Sequence, residues 1–219
     1  LIIPALNEAD CLPALLAEAP RALLHEIIVV DNGSTDETAA MARLAGAQVV
    51  SEPQRGYGAA CAAGVAAATG DILVFMDGDG SFVPQELVHL IAPLVAGQAD
   101  LVLGSRMRGG MVAGAMPSHQ RFGNWLVAWL VRRLYRVKLT DLGPFRAIRR
   151  DRLLALQMQE RTYGWPIEMM VKAAKQPARL LEVPVSYRPR FAGQSKVGGT
   201  VRGTVLATYK ILRVTFRYV

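Results

Sequence analysis

The chain has 219 residues, 52% of them hydrophobic, which is enough to bury a core as one domain and too apolar for a disordered segment. Its formal charge of +7 is unevenly spread: residues 1–105 hold 3 basic and 13 acidic side chains, 106–150 hold 10 and 1, 151–187 hold 5 and 4, and 188–219 hold 7 and none. An acidic first half suits cations and a basic second half suits phosphates, nucleic acid or an anionic membrane surface. No window reaches the roughly 20 apolar residues that cross a bilayer; the nearest, WLVAWLV at 125–131, is closed off by Arg132 and Arg133 and reads as a core or interfacial helix.

In chain order, LIIPALNE is the tail of a strand, and helical spacing of Leu12, Leu15 and Leu16 follows from Cys11 to about Leu24. EIIVV at 26–30 predicts a strand, and the helix after it is expected to start near Ser34, where Ser34 with Glu37 and Thr35 with Thr38 have capping spacing, and to end at Gly46. AQVVSE is a short strand, GYGAACAAGVAAATG a glycine-led helix, and DILVFMDGDG a buried strand. LVHLIAPLVAG reads as a helix, ADLVLGSR as a strand, QRFGNWLVAWLVRRLYRV as a long amphipathic helix and ARLLEVPVSYRPR as a further strand. Such alternation predicts an α/β fold with a mostly parallel sheet and crossover helices, whose ligands sit at the carboxyl ends of the strands. Residues 4–8, 31–34 and 77–79 all fall at such ends, so three polar clusters should meet along one edge.

Several chemistries are disfavoured. The glycines at 56, 58 and 64 make neither a dinucleotide fingerprint nor a P-loop. His25, His89 and His119 are dispersed and far from any Cys or Glu pair, so a zinc site is unsupported. Cys11 and Cys61 lack C-x-x-C spacing, and with no leader ahead of residue 1 a reducing, cytoplasmic setting is expected. Aromatics do not alternate with arginine as single-strand binding requires, so nucleic acid is not an expected partner. What remains is a pair of carboxylates, Asp77 and Asp79, around Gly78 at a strand end. They suit either a tight turn or a divalent metal with oxygen ligands shared with substrate phosphates.

Taken together, IPALNE, IIVVDNGSTDET, RGYGAACAAGVAAATGD, ILVFMDGDGSFVP, LVLGSR, DLGPFRAIRR and EVPVSYRPRFAGQSKV resemble glycosyltransferase family 2, the inverting GT-A transferases. Within it they are most similar to the dolichyl-phosphate mannosyltransferase-like branch, whose members load a sugar from a nucleotide donor onto a polyprenyl phosphate. The resemblance implies one GT-A nucleotide-sugar-binding domain over 1–219, with the nucleotide and metal in 1–105 and the acceptor in 106–219. It implies Mg2+ or Mn2+ on Asp77 and Asp79, and a UDP- or GDP-sugar edged by Pro4, Ala5, Asn7, Glu8, Asp31, Asn32, Arg55, Asp77 and Gly78. Arg106, Arg146, Arg190, Ser195 and Lys196 would hold the acceptor phosphate, with Asp79 and Arg106 among the groups acting on the reaction. A phosphate acceptor brings its own ionised nucleophile, whereas a hydroxyl acceptor needs a carboxylate base, for which Asp141 and Glu168 stand at motif positions. A structural alternative pairs Arg146 with Asp141. Arg202, Lys210, Arg213 and Arg217 share one face of the final helix, a candidate for peripheral contact with an anionic membrane.

Overall fold

Short β-branched runs build the centre of the molecule: β1 (Ile2–Ala5), β2 (Ile28–Asp31), β3 (Gln48–Ser51), β4 (Ile72–Phe75) and β5 (Leu101–Ser105). The computed structural model describes residues 1–193 and 201–219, with side chains of the last helix from Ala207 onward. Ser195 and Lys196 therefore lie outside the described residues. Strands β6 (Arg146–Arg149) and β7 (Leu180–Pro184) complete a seven-stranded sheet ordered β3-β2-β1-β4-β6-β5-β7. All neighbouring pairs are parallel except those of β6, which runs antiparallel to both β4 and β5.

Because side chains alternate across a strand, each run feeds two cores. Ile2, Ile28, Val30, Leu73, Phe75, Leu101 and Leu103 face one layer, which contains α3 (Tyr57–Ala67), α5 (Ser118–Tyr135) and α7 (Trp165–Lys175). Ile3, Val29, Val74, Met76 and Val102 face the other, which contains α1 (Leu12–Glu18) and α4 (Leu87–Val95). Burial on both faces is why these strands read as continuous apolar runs. Trp165 packs edge-on against Phe75 at 4.9 Å between centroids, fixing α7 beneath β4. Helices α2 (Thr38–Leu44), α6 (Arg150–Ala155) and α8 (Val201–Arg217) complete the set. Among the described residues no helix is long and apolar enough to cross a membrane.

Three expectations change. Strand β6 was not anticipated; its antiparallel insertion pairs Arg146 with Phe75 and Leu103 and so sets Arg146 beside the carboxyl ends of β4 and β5. Helix α1 stops at Glu18, and a separate 3-10 turn holds Arg21–Leu23. Helix α2 begins at Thr38 rather than near Ser34, because Ser34 and Thr35 are engaged by Asn7 instead of capping.

The start of α3 is closed by the chain ahead of α7. The Ala59 N–H donates to the Arg161 carbonyl at 2.9 Å, and a Cβ on Gly58 would stand 2.5 Å from the Glu160 carbonyl oxygen. Gly58→Ala is therefore expected to lower stability by about 1–3 kcal/mol through overpacking against backbone, read as a shifted urea midpoint at unchanged slope.

Candidate active site

The loops leaving β1 and β2 are stitched together. Asn7 sits in the left-handed region at φ 53°, which asparagine tolerates. Its Oδ1 accepts the Thr35 N–H at 2.8 Å and its own N–H donates to Ser34 Oγ at 3.0 Å. The Glu8 N–H donates to Thr38 Oγ1 at 2.9 Å, and Thr38 is held in turn by Asp36. Asp31 Oδ1 accepts the Ser34 N–H at 3.0 Å, and the Ala5 carbonyl accepts the Asn32 N–H at 2.9 Å. Pro4, Ala5, Asn7, Glu8 and Asp31 thus gather at one end of the sheet.

Asn32, expected on the nucleotide, turns inward instead. Its amide donates to the Glu52 and Gln54 carbonyls at 2.9 and 2.8 Å, and its Oδ1 accepts the Gly56 N–H at 2.7 Å. An amide is required there, since a carboxylate could not donate. Arg55 stays exposed and reaches the Gly33 carbonyl at 2.8 Å. With its first turn covered by 160–161, α3 does not present a free N-terminus for a diphosphate.

Asp77 and Asp79 stand just past the end of β4, with Gly78 pressed against Ile3 and the Pro4 carbonyl. Asp79 Oδ1 accepts the Ser81 N–H at 2.9 Å. Burial, and then the neighbouring Asp79 charge, push the Asp77 carboxyl up to about 7. The segment after β7 closes over this turn: the Arg188 N–H donates to the Ser81 carbonyl at 2.9 Å and the Phe191 N–H to the Asp79 carbonyl at 3.0 Å. The Phe191 ring lies where a Cβ on Gly80 would be, and Gly80 has φ +76°, so only glycine fits. Arg190 grips Glu8 at 2.9 and 3.2 Å and stands 3.9 Å from Asp79 Oδ2. Expected on the acceptor phosphate, its guanidinium is instead paired with the carboxylate of Glu8.

Beyond β5 lies a second polar knot. Arg106 Nε and Nη2 donate to the two oxygens of Asp141 at 2.8 and 2.7 Å, the two-toothed geometry that arginine favours. Glu182, buried, accepts the Thr140 and Asp141 N–H groups at 2.8 and 3.0 Å. The Tyr187 ring faces Arg106, 5.1 Å from centroid to guanidinium. Although burial works to raise it, the Arg106 charge holds the Asp141 carboxyl below its usual range, so Asp141 is a poor base.

Two further expectations are corrected. Arg146 does not pair with Asp141, nor does it face an open acceptor site; it is 1% exposed and donates to the Pro166, Leu142 and Gly143 carbonyls. Burial pulls its guanidinium down to about 10. Glu168 is fully buried and accepts from the Gln159 and Glu160 N–H groups, Tyr218 Oη and Lys172 Nζ. With its lone pairs engaged it holds the 159–160 turn to α7 and α8 and has no access to an acceptor.

Residues 1–155 match the family model described as Glycosyl transferase family 2. The chain belongs to this family and is a glycosyltransferase. An uncharacterised glycosyltransferase of Mycobacterium tuberculosis is 43% identical over 215 residues, 98% of this chain and 96% of that one. An undecaprenyl-phosphate mannosyltransferase of Micrococcus luteus is 32% identical, with 92% of this chain and 88% of that one covered. Among solved structures, the glucosyl-3-phosphoglycerate synthase of M. tuberculosis in complex with phosphoglyceric acid superposes at a TM-score of 0.76 and 25% identity, over 98% of this chain and 77% of that one. The seven-stranded sheet is accordingly that of a GT-A glycosyltransferase.

Sequence reasoning missed the supporting residues of this glycosyltransferase: Asp36 and Thr38 behind Glu8, Glu182 behind Asp141, and Arg188 on the Gly80 carbonyl at 2.7 Å. Only the helix-start signal at 34–38 marked any of them. Whether Asp77 and Asp79 fit a divalent ion can be judged from their surroundings: they are adjacent hard oxygen donors, and no salt bridge reaches Asp77 among the described residues. No third His, Cys, Asp or Glu joins them in a metal-binding group among those residues, so diphosphate and water oxygens would complete the shell, as Mg2+ and Mn2+ accept.

In metal-free protein the folded state holds the Asp77 proton up to about pH 7 where the unfolded state releases it near 3.8. Between those values the folded state binds more protons, so stability falls as pH rises. Thermal melts in chelator should show Tm dropping between about pH 5 and pH 7, and Asp77→Asn should flatten that slope.

Proposed function

We propose that this glycosyltransferase is metal-dependent and inverting, and moves a sugar from a UDP- or GDP-sugar to a phosphate acceptor, with a polyprenyl phosphate as first choice. The observation that carries the acceptor class is the state of the two candidate bases. Asp141 is clamped by Arg106, and Glu168 is saturated by four donors. A hydroxyl nucleophile would have to lose its proton to one of them. A phosphate monoester, with its second pKa near ~6, arrives ionised and needs none.

Pro4, Ala5, Asn7, Glu8 and Asp31 would edge the nucleotide, while Asp77 and Asp79 would hold the divalent ion. A bound ion of this kind neutralises charge building on the departing diphosphate. Donor binding requires Arg190 to release or share Glu8. Arg106 keeps one guanidinium edge on Asp141, and its Nη1 makes no hydrogen bond among the described residues, leaving that edge for an acceptor oxygen together with Ser195 and Lys196 of the segment that follows. In the transfer, an acceptor phosphate oxygen forms a bond to the anomeric carbon from the face opposite the departing diphosphate. The carbon–oxygen bond to the nucleoside diphosphate breaks, its electron pair leaves with the diphosphate, and no proton has to move.

Relatives named for lipid phosphates support this choice: the undecaprenyl-phosphate mannosyltransferase above, and a dolichyl-phosphate hexose transferase of Haloferax volcanii, 31% identical over 94% of this chain. Such an acceptor would place the enzyme at a membrane surface, on its cytoplasmic face. The fold neighbour crystallised with phosphoglyceric acid motivates the rival, a soluble acceptor.

Radiolabelled UDP- and GDP-sugars incubated with Mn2+ and polyprenyl phosphate, then extracted into organic solvent, separate the two. Label in the organic phase is expected. Label confined to the aqueous phase in the presence of phosphorylated soluble acceptors would favour the rival. Asp77→Ala and Asp79→Ala should each lower turnover by about 100-fold or more, the scale of losing one preorganised charge contact to the leaving group.

A further inference from the structure

Helix α5 packs on the sheet through Val127, Ala128 and Val131. Its opposite face carries Phe122, Trp125 and Trp129, exposed by 62, 55 and 46%. Large aromatics are seldom left so open when nothing covers them, and three in one stripe mark an interaction surface. At 100° per residue these three fall within about 60° of one another, and the exposed Arg121, Arg132 and Arg133 widen the arc to about 120°. From Arg106 to Thr140 there are seven basic residues and no acidic one.

That charge decides between occupants. A second copy meeting this face about a two-fold axis would lay the same patch on itself, arginines against arginines. An anionic bilayer answers both features: tryptophan rings settle at headgroup level while arginines take the lipid phosphates. The helix also adjoins the proposed acceptor side of the site through its inner face, where Asn124 Oδ1 accepts the Leu142 N–H at 3.1 Å, next to the Asp141 that pairs with Arg106. The basic face expected on α8 is a weaker candidate. Arg217 bonds to Gln159 at 3.1 Å, Lys210 is half-buried, Arg213 alone of the described three is exposed and unengaged among the described residues, and the Arg202 side chain lies outside them.

We propose that the outer face of α5 docks the enzyme on an anionic lipid surface, with Phe122, Trp125 and Trp129 at headgroup level and Arg121, Arg132 and Arg133 on the lipid phosphates. It rests on the lipid-phosphate reading for its purpose, but not for its test. Flotation with vesicles of phosphatidylglycerol and phosphatidylcholine in equal parts, without donor or acceptor, should carry the protein up, and phosphatidylcholine vesicles alone should not. Trp125→Ser with Trp129→Ser should weaken partitioning by about tenfold or more, the scale of partly burying one such side chain. Arg132→Glu with Arg133→Glu should weaken it by about fivefold for each positive charge removed. Circular dichroism melts confirm that each variant is folded, and the two pairs test the face independently.

Protein left in the soluble fraction with both vesicle types overturns the proposal. So does equal flotation of both folded variant pairs with the wild type, or a dimer in sedimentation velocity that the tryptophan pair abolishes while vesicles bind nothing. Turnover of wild-type enzyme on detergent-dispersed polyprenyl phosphate judges the acceptor separately: flotation without turnover leaves the docking face standing and removes the acceptor, and turnover without flotation does the reverse.

Discussion

Carboxylates crowd the carboxyl edge of this sheet, and burying like charges together is costly unless each finds a partner. Glu8, Asp77 and Asp79 converge there, and the first half of the chain supplies only three basic residues in all. The second half supplies the answer by bringing a strap across the edge, with Arg190 on Glu8 and within 3.9 Å of Asp79. Asp77 is left with its charged form opposed by burial and by Asp79, and it is here that we propose a cation and a diphosphate are taken.

Other basic residues of the second half are engaged in the same way or on backbone carbonyls. Arg106 closes on Asp141, whose N–H Glu182 holds from behind; Arg188 closes on Glu18 at 2.7 Å; Arg146 is used up on backbone carbonyls. A cluster of arginines that looks in one dimension like an open phosphate cradle is in three dimensions a set of specific pairings that build the walls of the site. Nη1 of Arg106 makes no hydrogen bond among the described residues, and we propose it for an anion. With Asp141 and Glu168 engaged, the acceptor we propose is one already charged, and the aromatic, basic outer face of α5 is where we propose that a lipid carrying such a charge is met.

Much of this was legible from residues alone. Short apolar runs located β1 to β5 and β7, and the rule that ligands gather at carboxyl ends placed Asn7, Glu8, Asp31, Asp77 and Asp79 together. What escaped were features set by contacts far apart in sequence. β6 reads RAIR, bracketed by arginines, and is a strand because β4 and β5 flank it. Asn32 and Glu168 look functional by type, yet each is consumed by backbone groups that periodicity does not reveal. The partner of Arg190 lies 182 residues away and that of Arg106 lies 35 away, distances at which no local spacing rule operates. Nothing in the stretch around Trp125 told which of its apolar residues pack on the sheet; Val127 and Val131 are buried while the tryptophans are exposed.

The central claim is that Asp77 and Asp79 form one cation site completed by a nucleoside diphosphate. Titration of Mn2+ into the protein, followed by loss of the free-ion paramagnetic resonance signal with and without UDP or GDP, tests it most directly. The account predicts weak uptake alone, uptake strengthened by one of the nucleotides, and loss of that uptake in folded Asp77→Asn and Asp79→Asn. Uptake indifferent to the nucleotide, or undiminished in both variants, would contradict it.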